Sequence, residues 1–213
     1  MSQHRVVFMG SPALAASVLK SLLHEKQVEI VACYTQPPKP AGRGKKLQKT
    51  EVHALAESFN IPVYTPSTLR NPEVQAQFES LQAQLVIVVA YGLLLPKEIL
   101  AAPRLGCINI HASLLPHYRG AAPVQYALLR GEKHTGLSLM QLNEGMDSGP
   151  VFATEKLPLL PFDTTATVLD KMAKVAGSFL SLHLPKILNG TLKPQEQDHA
   201  RATYAPKITK EQT

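Results

Sequence analysis

Residues 84–90 read Gln-Leu-Val-Ile-Val-Val-Ala, and every position after the first is apolar. A continuous apolar, β-branched run of this kind is typical of a central strand in a parallel sheet whose two faces are both covered. Apolar runs at 5–9, 29–35 and 107–111 predict three further strands, with helical patterns between the earlier ones. Because strand and helix alternate, the sequence predicts an α/β fold with an open, doubly wound, mostly parallel sheet.

The second half of the chain departs from this alternation. Residues 137–142 and 151–157 are expected to form late antiparallel strands on either side of an irregular loop at 143–150. Asp163 is then expected to cap a long helix over 165–188. The sequence therefore predicts a parallel core followed by an antiparallel pair and a final helix.

Positive charge is concentrated in one short segment. The 213 residues are 45% apolar and carry 22 Lys and Arg against 16 Asp and Glu, for a net charge of +6. Residues 39–49 contain five of these positive charges and no acidic residue. The surrounding segment, 36–49, holds three prolines and two glycines and is predicted to be a loop without secondary structure. It is either a solvated lysine-rich loop or an arm that binds phosphates.

Several classes of protein are excluded by missing patterns. The longest uncharged apolar stretch, 85–95, has 11 residues, whereas a helix that spans a bilayer needs ~20. The N-terminus lacks a signal-peptide pattern, so we expect a cytoplasmic protein without a membrane partner. Gly10-Ser-Pro lacks the dinucleotide fingerprint, and residues 39–46 depart from a phosphate-binding loop at both ends. The two cysteines and eight histidines show no metal-ligand spacing, so no metal is expected.

Three polar residues are candidates for chemistry. Asn109 and His111 stand two positions apart in a predicted strand, so their side chains share one face. Asp147 lies between two glycines in the loop 143–150. An amide that stabilises an oxyanion, with an imidazole and a carboxylate that move a proton, fits acyl transfer to an amine. A hydrogen-bonded core pair and an ordinary turn aspartate are the alternatives.

A block of sequence resembles a known family. Residues 109–123, Asn-Ile-His-Ala-Ser-Leu-Leu-Pro-His-Tyr-Arg-Gly-Ala-Ala-Pro, resemble the signature of the folate-dependent formyltransferases. Phe-Met-Gly-Ser-Pro at 8–12 and Val-Ala-Tyr-Gly-Leu-Leu-Leu-Pro at 89–96 match the family in the same order. The resemblance implies a Rossmann-like fold and transfer of a formyl group from 10-formyltetrahydrofolate, a reduced folate, to an amine.

The resemblance also implies which residues form the site. The family's catalytic Asn, His and Asp correspond to Asn109, His111 and Asp147. The folate site would be lined by residues from two segments, namely Ser113, Leu114, Leu115 and Pro116 on one wall and Tyr91, Leu93 and Leu95 on the opposite wall.

The basic segment carries a second resemblance. Residues 40–47, Pro-Ala-Gly-Arg-Gly-Lys-Lys-Leu, resemble the tRNA-contacting loop of the methionyl-tRNA formyltransferases. This implies that initiator methionyl-tRNA is bound by Arg43, Lys45 and Lys46. The resemblance favours the phosphate-binding arm over the solvated loop.

The match to the family has limits. His117 stands where Arg is common, and Leu14 stands where Phe is common. By resemblance, residues 1–206 form the catalytic domain, and 207–213 begin a linker to a C-terminal barrel that this chain does not contain. A monomer is expected. Two other functions stay open, namely formyl transfer to a sugar amine or a ribonucleotide, and a catalytically silent module that binds tRNA or folate.

Overall fold

The computed structural model describes residues 3–41, 44 and 46–209. The chain divides into two compact units, residues 1–108 and 109–213. Helices and strands alternate through the first unit, and an antiparallel pair followed by a long helix dominates the second.

The described residues of the first unit form six strands and four helices, and the strand β7 runs across the boundary into the second. The bounds of its elements are β1 His4–Gly10, α1 Ala13–Leu22, β2 Val28–Tyr34, β3 Lys39–Ala41, β4 Lys46–Gln48, α2 Glu51–Ser58, β5 Val63–Tyr64, α3 Pro72–Ser80, β6 Leu85–Val89, α4 Lys97–Ala101 and β7 Cys107–His111. All five residues of β6 are buried, which confirms the central strand that its unbroken apolar run predicts.

Seven strands form one sheet in the order β5-β2-β1-β6-β7-β8-β9. β1 pairs in parallel with β2 and with β6, and β2 pairs in parallel with β5. From β1 the chain therefore adds β2 and β5 on one side of β1. It then returns and adds β6 on the other side of β1. A reversal of this kind opens a crevice at the carboxyl ends of the two strands, where open α/β sheets bind ligands. The sheet confirms the predicted fold class.

The second unit holds the late antiparallel strands. Its elements after β7 are α5 Pro123–Leu129, β8 His134–Gln141, β9 Val151–Pro158, α6 Thr165–Leu188 and a 3₁₀ turn at His199–Arg201. β8 and β9 are antiparallel and pair from His134 with Pro158 onward. The two strands confirm the predicted pair, and each is longer than its apolar run.

The prediction of a structureless loop over 36–49 is wrong. β3 and β4 form a two-stranded antiparallel hairpin, in which Pro40 pairs with Leu47. Proline cannot donate a hydrogen bond to a neighbouring strand, which argues against a central strand. A two-stranded ribbon has only outer edges, so proline is tolerated there. The density of proline therefore indicates an edge strand and does not exclude a strand altogether.

The long helix α6 begins and ends as predicted, but its cap differs. The N-cap is Thr164, whose hydroxyl accepts from the Thr167 amide, while the Thr167 hydroxyl accepts from the Thr164 amide. Asp163 instead accepts from the Leu160 amide and from the Lys171 ammonium. The prediction of Asp163 as the cap is wrong by one residue, because a threonine that follows the aspartate forms the reciprocal capping box.

Burial places the core of each unit around its strands. In the first unit β1 and β6 are enclosed, and Val18, Leu19 and Phe78 from the helices pack inside. Each fully buried aliphatic side chain contributes about 1.5–3 kcal/mol. In the described parts of the chain, no helix combines the length and the apolar character needed to cross a membrane.

Candidate active site

The strand β7 places two polar side chains in an otherwise apolar environment. Asn109 is 9% exposed and His111 is 7% exposed, and they occupy alternate positions of the strand. Their side chains therefore share one face, as the spacing predicts. The side-chain amide of Asn109 makes no hydrogen bond to any other described residue. Its N–H groups are therefore free to meet an acceptor from outside the protein.

The two ring nitrogens of His111 face different oxygens. Nε2 lies 3.0 Å from the carbonyl oxygen of Tyr118. A carbonyl only accepts hydrogen bonds, so Nε2 carries a proton and donates it. Nδ1 lies 3.7 Å from Asp147 Oδ1, an ion-pair distance that is too long for a hydrogen bond. The structure thus places His111 and Asp147 side by side.

Tyr118 is held by a set of contacts outside β7. Its φ of 60° lies in the left-handed region, which is unusual for a tyrosine. Its amide donates to Thr203 Oγ1 at 2.8 Å, and its phenol donates to Glu132. The Arg130 guanidinium lies over its ring, 5.3 Å from the centroid. Burial, and then the nearby Glu132 carboxylate, raise the pKa of the phenol, so it remains a donor.

Asp147 is fixed by a backbone donor from the signature block. Its Oδ2 accepts from the Gly120 amide at 2.8 Å, and its own φ is 45°. Gly120 has a φ of 118°, and a Cβ at this position would lie 2.8 Å from the Ala205 carbonyl oxygen. Only glycine fits this conformation and this space, so the turn that binds Asp147 depends on it.

Sequence reasoning missed two buried residues of the site. Arg119 is 3% exposed and Gln197 is 7% exposed. The Gln197 amide nitrogen donates to the Asp147 carbonyl at 2.9 Å, and its oxygen accepts from Arg119 at 2.7 Å. Arg119 lies within the signature block and could have been selected for that reason. Nothing in the local pattern around Gln197 connects it to a residue 50 positions away.

The segment 113–116 forms a tightly bonded turn. The Ser113 side chain is fully buried, and its hydroxyl donates to the His117 carbonyl at 2.6 Å. The hydroxyl of Ser138 donates to the Ser113 carbonyl at 2.7 Å and accepts from the Leu115 amide at 3.0 Å. Leu114, Leu115 and Pro116 are half-buried. Ser113 thus shapes the turn from inside, and the three residues after it offer partly exposed surface.

In the first unit, the loop after β6 lies at the reversal of the sheet. Its Tyr91 carbonyl accepts from Gln36 Nε2 at 3.2 Å and from the Ser11 hydroxyl at 3.4 Å. The Tyr91 side chain is only 2% exposed, whereas Leu93 and Leu95 are half-buried. The phenol oxygen of Tyr91 finds no partner among the residues that the structure describes, and burial raises its pKa. The two leucines therefore offer more accessible surface than the tyrosine.

The basic hairpin is described in part. Lys46 is exposed in β4, whereas Arg43 and Lys45 lie outside the described residues. The base of the hairpin is bonded to helix α2, because Lys49 Nζ lies 2.6 Å from a carboxylate oxygen of Glu57. The hydroxyls of Thr35 and Thr50 lie 2.6 Å apart and connect the two ends of the hairpin segment. Lys46 thus lies on an anchored element and is solvent-accessible.

Both cysteines, Cys33 and Cys107, are free thiols buried in the protein. Burial raises the pKa of both Cys33 and Cys107 to about 12, so neither is a thiolate at neutral pH. Across the described residues, no group of three or more His, Cys, Asp or Glu side chains is placed to hold a metal ion. The polar groups around His111 are therefore the candidates for chemistry that the geometry brings together.

Comparison with known proteins defines the class. The family described as formyl transferase matches residues 4–184. Two curated relatives are named methionyl-tRNA formyltransferase. The one from Nitrosomonas europaea is 47% identical over 206 residues, which are 97% of this chain and 63% of the relative. The one from Pseudomonas entomophila is 47% identical over 208 residues, which are 98% of this chain and 67% of the relative.

A solved structure supports the same fold. The N-formyltransferase from Helicobacter canadensis, in complex with folinic acid and dTDP-3-aminofucose, has a TM-score of 0.71 at 19% identity. The match covers 100% of this chain and 72% of that chain. Together with the family match, these relatives show that the chain belongs to the formyl transferase family. It spans about two thirds of the length of the curated relatives it matches.

Proposed function

We propose that this chain carries the site that transfers a formyl group from 10-formyltetrahydrofolate to the α-amino group of initiator methionyl-tRNA. The observation that carries the proposal is the geometry around His111, which lies between the Tyr118 carbonyl and Asp147 with the unpaired Asn109 amide two residues away. The 47% identity to relatives named methionyl-tRNA formyltransferase supports this choice of acceptor.

The chemical step is a direct acyl transfer. The α-amino group of an aminoacyl ester has a pKa of about 7.7 or lower, so much of it is a neutral nucleophile near pH 7. Its nitrogen attacks the formyl carbon and forms a tetrahedral intermediate with a negatively charged oxygen. Donors that are already oriented stabilise such an oxygen without further reorganisation. The Asn109 amide is one donor. Doubly protonated His111 supplies the other through its Nδ1–H, since Nε2–H is bonded to the Tyr118 carbonyl.

Proton movement completes the reaction. The attacking amine must lose a proton, and Asp147 is the carboxylate beside His111 that can accept it, directly or through a water. The oxyanion then collapses, the bond between the formyl carbon and the folate nitrogen breaks, and that nitrogen takes up the proton that the amine released. The bonds formed and broken therefore balance with no covalent enzyme intermediate. The 3.7 Å gap between Nδ1 and Asp147 leaves the imidazole N–H available to the developing oxyanion.

The folate is assigned to the two segments that the family resemblance indicates. Leu114, Leu115 and Pro116 of the 113–116 turn would offer it partly exposed surface, and so would Leu93 and Leu95 after β6. The loop that carries the two leucines follows β6 at the reversal of the sheet, which supports this assignment. The formyltransferase from Helicobacter canadensis, which contains folinic acid, supports a folate ligand for the fold.

The tRNA is assigned to the basic hairpin. Lys46 is exposed there, and Arg43 and Lys45 add positive charge in the same segment. We further propose that the protein acts as a monomer in the cytoplasm, with a reduced folate and initiator tRNA as its partners.

Transfer of radiolabelled formyl from 10-formyltetrahydrofolate tests the activity. Methionyl-initiator tRNA should be labelled, whereas free methionine, glycinamide ribonucleotide and a dTDP-linked amino sugar should remain unlabelled. Preferential labelling of the ribonucleotide or the sugar would assign another acceptor. No labelling of any acceptor would favour a silent binding module.

A melting experiment tests the folate site independently of turnover. A ligand that binds only the folded protein raises its melting temperature by mass action. Saturating folinic acid should therefore raise the melting temperature of this chain. An unchanged melting temperature would contradict the folate site whichever acceptor is used.

A further inference from the structure

We infer that Gln197, fixed by Arg119, is a positioning residue that holds Asp147 in its reactive place. The inference rests on the proposed function, in which Asp147 accepts a proton beside His111. Gln197 is distant from Asp147 in sequence, and no residue pattern assigns it a role.

Gln197 spans the backbone of the Asp147 turn. Its side-chain nitrogen donates to the carbonyl of Asp147 at 2.9 Å and to the carbonyl of Gly149 at 2.6 Å. Both N–H groups of the amide are thus used on carbonyls that flank Ser148. The side chain is 7% exposed, so water competes little for these bonds. The turn therefore has a fixed anchor on its backbone side.

Arg119 determines which way the Gln197 amide faces. Arg119 Nη2 and Nε lie 2.7 and 3.2 Å from the Gln197 oxygen. A guanidinium has only donors, so the amide oxygen must face it and the amide nitrogen must face the two carbonyls. A third contact joins Arg119 Nη2 to His199 Nδ1 at 3.0 Å.

The burial of Arg119 is costly and is not offset by a carboxylate. Arg119 is 3% exposed, and within the described residues no acidic side chain lies at ion-pair distance from it. An isolated buried charge is strongly disfavoured, and a well-packed apolar side chain is often at least as stable. A contribution to stability therefore does not explain why an arginine lies here. Its role in orienting the Gln197 amide does, because the guanidinium N–H groups of Arg119 point at the amide oxygen.

The turn itself needs such an anchor. Asp147 has a φ of 45°, a left-handed conformation that is disfavoured for a residue with a side chain. Its carboxylate is bound on the other side by the amide of Gly120, the residue that follows Arg119. The Arg119–Gly120 dipeptide thus acts on Asp147 from two directions, through the Gly120 N–H and through Gln197.

The variant Gln197→Glu separates positioning from stability. The carboxylate still accepts from Arg119, and the pair gains opposite charges. Its second oxygen replaces the amide nitrogen and faces two carbonyl oxygens, so the Asp147 turn is pushed away. Gln195→Glu is the matched control, because Gln195 lies in the same segment with an exposed side chain.

We expect kcat for formyl transfer to fall by ~10- to 100-fold in Gln197→Glu, since small displacements of a reacting group have effects of this size. KM for the folate and the melting temperature should stay close to those of Gln195→Glu. Exchange of the Gly120 amide hydrogen should become faster, because its acceptor on Asp147 moves. Gln197→Leu, which removes both donors without adding charge, should show the same lowered kcat and faster exchange, and it replaces Gln197→Glu if that variant fails to fold.

Amide exchange keeps this inference separate from the proposed function. Unchanged exchange at Gly120, or faster exchange with a normal kcat, would overturn the positioning role. A raised KM with an unchanged kcat would overturn it as well. If the wild-type chain transfers no formyl group, the proposed function fails, and the exchange rate of Gly120 alone then decides whether Gln197 positions Asp147.

Discussion

The His111 Nε2–H donates to the carbonyl oxygen of Tyr118 at 3.0 Å. This bond fixes the orientation of the imidazole and leaves Nδ1 as the nitrogen that faces Asp147. A doubly protonated imidazole satisfies both oxygens, whereas a neutral ring with its proton on Nε2 presents a lone pair to the carboxylate. The carbonyl therefore determines which ring nitrogen, Nδ1, is left to face Asp147 and the reacting groups.

Loss of either Asn109 or Asp147, the two other polar groups of the proposed mechanism, should reduce turnover. We expect Asn109→Ala to lower kcat by at least ~10², the usual cost of losing one oxyanion donor. Asp147→Asn should have an effect of similar size, because it removes a proton acceptor. Steady-state kinetics measure both, and Glu144→Gln is the control, since Glu144 is an exposed carboxylate in the same loop. Turnover close to that of the control would remove the residue from the mechanism.

Gly120→Ala should destabilise the protein more than Gly131→Ala. Both glycines have a positive φ, but a Cβ on Gly131 meets nothing within 4 Å, whereas one on Gly120 lies 2.8 Å from the Ala205 carbonyl oxygen. Gly131→Ala should therefore cost only the left-handed conformation, about 1–2 kcal/mol. Urea denaturation measures the difference between the two variants. Equal losses would show that the second-unit backbone near Ala205 moves aside freely.

Removal of the phenol oxygen should change the stability of the protein differently at two buried tyrosines. Tyr34 donates to Gln77 Oε1 at 2.6 Å, so Tyr34→Phe leaves a buried acceptor unpaired and should cost about 1–3 kcal/mol. The Tyr91 hydroxyl has no partner among described residues, so Tyr91→Phe should leave the melting temperature unchanged or raise it. A large loss of stability in Tyr91→Phe would show that its hydroxyl is bonded in solution.

The Asp163 carboxylate should contribute to acid stability. Hydrogen bonds from the Lys171 ammonium and then from the Leu160 amide lower the pKa of Asp163 to about 2. The unfolded value is about 3.9. The stabilisation is therefore complete above about pH 4 and is lost as the pH falls toward 2.

Thermal melts between pH 6 and 2 test this contribution of Asp163. Asp163→Asn should melt at a lower temperature than the wild type at neutral pH. This gap between the two melting temperatures should narrow as the pH falls. Asp170→Asn is the control on the same helix, since Asp170 is exposed, and its gap should stay constant. A gap for Asp163→Asn that does not change with pH would contradict the lowered pKa.

The features that the sequence predicts correctly are those set by residues close together in the chain. The buried strand β6 follows from an unbroken apolar run, and the shared face of Asn109 and His111 follows from strand periodicity. The helix α6 follows from its periodicity, although its cap lies one residue beyond the aspartate expected to form it. Each of these depends on residues a few positions apart.

The features that sequence reasoning misses depend on distant residues or on the backbone. The carbonyl of Tyr118 orients His111, and a carbonyl is present at every position, so no residue type marks it. Gln197 reaches Asp147 across 50 positions. The hairpin β3–β4 lies where the sequence predicts a loop, because proline density does not distinguish an exposed edge strand from an irregular segment.

The salt dependence of tRNA recognition tests the basic hairpin. Each contact between a cationic side chain and a phosphate releases counterion, so log kcat/KM should fall with log salt by about 0.7–0.9 per contact. Arg43→Ala and Lys46→Ala should each raise KM for methionyl-tRNA and reduce this slope by about one contact. The larger effect is expected for Arg43, because a guanidinium binds phosphate with two parallel hydrogen bonds and an ammonium does not.

Lys97→Ala is the matched control for this test, since Lys97 is an exposed lysine at the start of α4. It should keep the wild-type slope, and folinic acid should raise the melting temperature of all three variants equally. Under the alternative of a solvated loop, the hairpin variants and the control give parallel slopes and equal rates at every salt concentration. That result would show that the hairpin does not bind tRNA. It would leave identity to the named relatives as the only support for a tRNA acceptor.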